Sequence, residues 1–441
     1  MRPRLLVSLA LMIAVSLLGC SSSSGNEHAS AGGSASGGSN ATNGGGDGAA
    51  GESIAGAAAS GGSSLGGGNS GSGGNSIGGA GSGAGADMNN GGSSGAGGAT
   101  GAGGAIGGSG GAAGATATDV TVGWVLSYFG PEQSVAADSL HLAYSTDGLH
   151  WTRLGAAGPA YQLSGMGTNH IRDPFILRKQ DGSFVYIATD WTLSNNDSNY
   201  WNNPSSKIFV ADSRDLIEFT KPRLLTLTSL KGAAGKAMHA WAPEAYYDAA
   251  GAKYAIIWSG NDSADRNRIY VSYTKDFEAL LTPEPEILFD PGYSVIDGTV
   301  ATYAGKSYLF FKDETDNDGG SITGSGKDIQ VATASSESLI PGGFTRTDAG
   351  YVPRGMSQGT RQATEGPFVI KDPKRELWYL YADFYTQGGK FGCWSTSDLN
   401  AKPSAWTRVA EADYSLPAGV RHANTVRVTQ AELDALKAHY K

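Results

Sequence analysis

The chain has 441 residues and a net charge of −9, from 32 Lys and Arg against 41 Asp and Glu. More than half of its 67 glycines fall in residues 1–117, a stretch without Phe, Trp or Tyr, so this part cannot build a hydrophobic core. The acidic balance, with no run of Lys or Arg, argues against nucleic acid or an anionic membrane surface as the main partner and favours a neutral ligand.

The N-terminus places Arg2 and Arg4 before an apolar run over residues 5–18, then Leu17-Leu18-Gly19-Cys20 and polar sequence. The run is too short to span a bilayer comfortably. The segment resembles a bacterial lipoprotein signal, although Leu18 is unusual in its slot. That resemblance makes residues 1–20 a signal peptide and Cys20 the lipidated first residue of the mature protein, exported to the cell surface or outer membrane. An ordinary cleaved signal, giving a secreted protein, is the alternative. Cys393 is the only other cysteine, which favours lipidation over a structural disulfide for Cys20. The membrane is then met only through acyl chains. Residues 21–117 are Gly, Ser, Ala and Asn with few charges, the composition of a disordered linker. Its root-mean-square reach is about 50–60 Å.

Residues 118–441 form the globular part, in which short β-rich runs alternate with Gly, Asp, Asn and Pro turns. A unit of roughly 55–70 residues recurs, a spacing that suits propeller blades with long loops. Its opening strands contain Arg172-Asp173-Pro174, Trp241-Ala242-Pro243-Glu244, Ile296-Asp297-Gly298 and Glu365-Gly366-Pro367. A fifth opening strand at Arg421-His422-Ala423-Asn424 comes just before a helical stretch over residues 430–440. Its outer strands are expected from residues 120–128 and 140–144, so the predicted fold is all-β: a five-bladed β-propeller closed by strands from both termini.

In a propeller the first strand of each blade lines the central channel, so equivalent positions converge. Asp173, Glu244, Asp297, Glu365 and His422 are expected at one such position. Each motif alone is ordinary turn or strand-entry punctuation. Four acids in the same phase of an otherwise apolar repeat are not, because burying carboxylates together without a function for them is unfavourable. Trp191 and Trp241 are candidate platforms for a sugar ring, whereas Phe311 reads as packing. Cys393 reads as a buried apolar residue, and no zinc spacing, phosphate loop or Gly-x-Ser-x-Gly elbow is present.

The order and spacing of the four motifs resemble glycoside hydrolase family 43 over essentially all of the globular part. The resemblance implies a glycosidase that inverts configuration and acts on arabinose- or xylose-containing plant polysaccharides, with α-L-arabinofuranosidase activity preferred. Carried over onto these positions, Asp173 is the general base, Glu365 the general acid, and Asp297 the carboxylate that orients and tunes. Asp297 is expected to raise the Glu365 pKa by like-charge proximity and keep it protonated near neutral pH. Glu244, Arg421 and His422, with the two tryptophans, are expected to bind substrate, Glu244 having an equally good structural reading. No cofactor is required. A structural calcium near His422, which some family members hold, is the one metal the resemblance brings into question. The expected partner is carbohydrate alone, bound by a monomer. Two alternatives are a retaining fructan-type propeller, whose Asn-Asp-Pro and Glu-Cys signatures are unmatched here, and a non-catalytic sugar-binding propeller. The loops 195–206 and 313–327 are expected to shape the mouth.

Overall fold

The computed structural model describes residues 120–441 except 132–133, 156–157, 192–203, 316–326, 347–351, 353–355 and 358–359. The signal segment with Cys20, the linker, and residues 195–203 and 316–326 of the two mouth loops lie outside the described residues.

Five four-stranded antiparallel sheets follow one another in the chain. Blade one holds Ile171–Arg178, Phe184–Asp190, Lys207–Ser213 and Phe219–Thr226. Blade two holds Trp241–Asp248, Lys253–Asn261, Asn267–Thr274 and Glu286–Phe289. Blade three holds Val295–Tyr303, Lys306–Asp313, Ile329–Ala334 and Thr345–Arg346. Blade four holds Glu365–Lys371, Trp378–Phe384, Lys390–Thr396 and Thr407–Arg408. In blade five the inner strand is Arg421–Thr429, followed by Thr121–Phe129, His141–Ser145 and Thr152–Leu154. The expected closure by both termini is therefore present, with Leu126 opposite Thr425 and Val125 opposite Val426.

Why the sequence reads as apolar runs rather than alternation follows from this ring. Each sheet is covered on both faces by its neighbours, so the second strands Phe184–Asp190 and Trp378–Phe384 are buried at every residue. The core is accordingly divided into five clusters, each at the boundary of two adjacent blades. Phe311 lies in the cluster between blades two and three, its ring centroid 4.8 Å from that of Phe289, and is packing as expected. The helix Gln430–His439 starts at a capping box between Thr429 and Glu432. Leu433 and Leu436 seat it on the boundary of blades five and one, and the Arg178–Glu432 ion pair at 2.7 Å fastens it there.

Candidate active site

All five inner strands break register at the same place. The irregularity lies between Arg172 and Phe175, Trp241 and Glu244, Ile296 and Thr299, Glu365 and Phe368, and opposite Ser127–Phe129 in blade five. At each bulge one residue takes a left-handed backbone: Asp173 (φ 52°), Ala242 (46°), Asp297 (56°), Gly366 (51°) and His422 (29°). Four of these are not glycine, and such strain persists only where the surroundings over-determine it. Bonds from the neighbouring blade supply that constraint. The Ala242 N–H donates to Thr189 Oγ1 at 2.9 Å, the Asp297 N–H to Ser259 Oγ at 2.9 Å, and the Gly366 N–H to Asp297 Oδ2 at 3.0 Å.

The bulges correct the expectation that five polar groups share one position. Asp173, Asp297 and His422 do share it. Glu365 sits one residue earlier, level with Arg172, Trp241 and Arg421, because Gly366 takes the left-handed slot of its motif. Glu244 sits two residues later, level with Thr299 and Asn424. Exposure agrees with this layering: the side chains of Glu365 and Asp173 are 20% and 15% exposed, and that of Asp297 is 6% exposed.

His422 joins the middle layer. Its Nδ1 lies 3.2 Å from Asp173 Oδ1 and 3.9 Å from Asp297 Oδ2. Burial works against a charged imidazole, but Asp173, Asp297, Glu365 and Glu244 together outweigh it and raise the His422 pKa. The Thr189 hydroxyl donates to the other Asp173 oxygen at 2.7 Å. Asp297 is pushed up to about 6, first by burial and then by Glu365 and Asp173, against the pull of His422 and Lys312.

Glu365 behaves opposite to the expectation. Its Oε2 accepts from Lys312 Nζ at 2.9 Å and its Oε1 from Arg421 Nη2 at 3.0 Å. Burial favours the neutral acid, but Lys312 and then Arg421 hold the carboxyl below the ordinary glutamate range. The like charge of Asp297 is thus overruled by two cations in contact. Lys312 also pairs with Glu314 at 2.7 Å and lies over the Tyr385 ring. Arg421 shares its charge with Asp383, Nε to Oδ2 being 2.5 Å, and faces the Phe129 ring. Asp383 is fully buried and pushed up to about 7 by that burial, with Arg421 opposing and Glu365 adding.

Lys312 and Asp383 were missed in the sequence. They lie directly opposite Ile296 and Glu365 on second strands, and a signal existed: each is a charge near the end of a run that is otherwise Tyr, Leu, Phe, Trp or Ala.

Glu244 belongs to a hydrogen-bonded floor. It accepts from Asn424 Nδ2 at 2.5 Å and from the Tyr246 hydroxyl, which in turn accepts from the Val300 N–H. Burial pushes its pKa up to about 8, against the hydrogen bonds of Tyr246 and Thr299. A carboxyl neutral in the folded chain and ionised above about 4.5 in the unfolded one contributes stability that is complete below that pH. The contribution is lost as pH rises toward 8. Glu244→Gln is expected to narrow the stability difference between pH 5 and pH 8 by on the order of 3 kcal/mol. Chemical denaturation of both proteins at the two pH values measures it.

At the rim, Trp241 and Trp191 are both partly exposed, with ring centroids 5.9 Å apart. The Arg172 guanidinium covers Trp191 at 4.6 Å and is fixed by Asp138, itself fully buried, at 2.7 Å. Asp138 also takes His170 Nδ1 at 2.8 Å, and His239 stacks on Trp241. Among the described residues no three His, Cys, Asp or Glu side chains are arranged to hold a metal. Cys393 is fully buried and pushed up to about 12 by that burial, the state of an apolar residue and not of a nucleophile.

Comparison with known proteins bears on this arrangement. A family-43-related model described as a probable glycosyl hydrolase domain matches residues 119–434. An α-L-arabinofuranosidase of Bifidobacterium longum subsp. longum is 27% identical over 341 residues, covering 64% of this chain and 31% of that protein. The chain thus spans about a third of that relative's length. A thermostable family-43 glycoside hydrolase of known structure is 20% identical with a TM-score of 0.41, covering 59% of this chain and 78% of that one. The catalytic domain of a Coprinopsis cinerea family-62 α-L-arabinofuranosidase is 15% identical with a TM-score of 0.41, covering 61% and 77% respectively. A five-bladed ring with carboxylates at its mouth, matched from residue 119 to residue 434, belongs to the family-43-related glycosyl hydrolase family.

Proposed function

We propose that this glycosidase releases α-L-arabinofuranosyl units from plant polysaccharides with inversion of configuration. The observation that carries the reading is the placement of Asp173 and Glu365 on the inner strands of blades one and four, with His422 and Asp297 between them. Inversion needs one carboxylate to activate water on one face of the sugar and a protonated carboxyl to serve the leaving oxygen on the other. Asp173, with one oxygen on Thr189 and one toward His422, is the base. Glu365, nearest the mouth, is the acid. Glu365 is ionised in the resting site, so it takes up its proton in the substrate complex. A glycan that fills the mouth excludes water, and a leaving oxygen at Glu365 displaces Lys312 or Arg421 from one carboxylate oxygen. Burial then dominates and favours the neutral acid. Trp241 and Trp191 offer the apolar surface for the sugar ring, and the activity of the Bifidobacterium relative supports arabinose over xylose. The lipoprotein-like segment ending at Cys20 fits an enzyme that works outside the cell.

The test is hydrolysis of arabinan, arabinoxylan and xylo-oligosaccharides followed by proton NMR at early times. Arabinose released first as the β anomer is expected. Initial release of the α anomer would overturn inversion in favour of a retaining mechanism, and xylose as the sole product would overturn the sugar.

A further inference from the structure

Around the mouth, side chains meet one after another. The Trp241 and Trp191 rings lie 5.9 Å apart, and the Arg172 guanidinium stands 4.6 Å from Trp191. Arg172 is also 5.3 Å from the Phe129 ring, and Arg421 is 5.8 Å from that same ring. Arg421 in turn reaches Glu365, and Glu365 reaches Lys312. Arg172 thus forms the wall between the two tryptophans and the arginine that holds the acid. It lies in the same layer as Trp241, Glu365 and Arg421 and directly precedes Asp173. Unlike those residues, it has no part in the cleavage described above.

How Arg172 is held decides what it can do. Asp138 accepts from its Nε at 2.7 Å and from its Nη2 at 3.2 Å, the two-point fork that a carboxylate makes with a guanidinium. Asp138 Oδ2 also lies 2.8 Å from His170 Nδ1, and the Asp138 carbonyl accepts from the Ile171 N–H at 3.0 Å. One aspartate therefore fastens the whole run from His170 to Arg172. The Asp138 side chain is fully buried, whereas that of Arg172 is 17% exposed. Burying a carboxylate is costly, and a pair serving stability alone is often matched by apolar side chains. Here the buried member is an anchor, and its partner stays open to the mouth. Among the described residues Arg172 Nη1 has no acceptor. A guanidinium already fixed through two nitrogens has lost its rotamer freedom, so its third nitrogen can bond an incoming acceptor without that cost. A neutral sugar ring resting on the adjacent tryptophans offers one kind of acceptor to this wall, its hydroxyls.

We propose that Arg172 binds the sugar that is released, donating from Nη1 to a ring hydroxyl of the arabinofuranosyl unit, and that Asp138 is the positioning residue behind it. The proposal rests on the hydrolase reading above and adds to it a specificity-determining contact on the wall of blade one.

The test measures kcat/KM on nitrophenyl α-L-arabinofuranoside and its 2-, 3- and 5-deoxy analogues for the wild type, Arg172→Gln, Asp138→Asn and the double variant. The intrinsic reactivity of each analogue cancels in the ratio of wild type to variant. On the parent substrate Arg172→Gln is expected to lose about tenfold, the scale of one hydrogen bond from a charged donor. On the analogue lacking the bonded hydroxyl that loss is expected to shrink to about twofold or less, because the contact is already gone. An equal loss on every analogue overturns the contact. Asp138→Asn is expected to single out the same analogue and to add less than about twofold to Arg172→Gln, since it acts through that side chain. Losses that multiply remove Asp138 as the positioning residue. If Asp138→Asn does not fold by circular dichroism, Arg172→Lys takes its place, keeping the charge without the fork. A loss like that of Arg172→Gln upholds the positioning, and near-wild-type activity overturns it. If the wild type cleaves none of these substrates, the hydrolase reading fails separately, and calorimetric titration with an arabino-oligosaccharide decides the contact. Binding that Arg172→Gln weakens about tenfold upholds it, and equal or absent binding overturns it.

Discussion

Replacing Glu365 by Ala is expected to lower turnover of an arabino-oligosaccharide by about 10²–10⁴-fold, the contribution typical of a positioned acid or base. With a dinitrophenyl arabinofuranoside, whose leaving group needs no proton, the same variant is expected to lose about tenfold or less. Asp173→Ala is expected to lose both activities, because water must be activated whatever departs. Neither replacement should unfold the ring. Lys312 keeps Glu314 and Arg421 keeps Asp383 when Glu365 is truncated. At Asp173 the left-handed backbone is one that Ala242 already adopts at the equivalent bulge. Circular dichroism and thermal unfolding provide the control. A Glu365→Ala enzyme equally impaired on both substrates would remove Glu365 from the role of acid.

The second large effect concerns the cations that hold Glu365. In Lys312→Met the charged carboxylate loses its strongest partner, so its pKa rises and the protonated form persists to higher pH. The alkaline limb of kcat/KM is therefore expected to move up by about one pH unit. Asp383→Asn acts the other way. It removes a negative charge near Glu365 and leaves Arg421 to Glu365 alone, which lowers the acid's pKa and moves the limb down. Opposite displacements in the two variants are the expected signature. A common displacement, or none, would mean that the limb belongs to another group.

Much of this architecture was legible because a propeller repeats. Four motifs at similar spacing announced the inner strands, and the truncated fifth unit announced that Thr121–Phe129 completes blade five. What could not be read was depth. Within Glu365-Gly366-Pro367 and Trp241-Ala242-Pro243-Glu244 the acid stands on different sides of the left-handed residue, so letters that look aligned enter different layers. Nor does a motif on one strand reveal what lies across the register from it. The protonation of Glu365 is decided by Lys312 and Arg421, which come from blades three and five, so an expectation based on neighbouring acids alone had the wrong sign. Asp138 was hidden in a loop between the strands Thr121–Phe129 and His141–Ser145, where a lone aspartate reads as a turn residue.

Blade five places the earliest strand of the ring beside the latest, with Ser127 bonded to the Asn424 carbonyl 297 positions away. As the chain folds, Thr121–Phe129 keeps one backbone edge unsatisfied until Arg421–Thr429 docks against it. Ring completion is thus the slow, high-contact-order event of maturation. Until then the exposed edge invites pairing with other nascent chains. Since His422 and Arg421 arrive on that final strand, the molecule gains its chemistry only at the moment it gains its full topology.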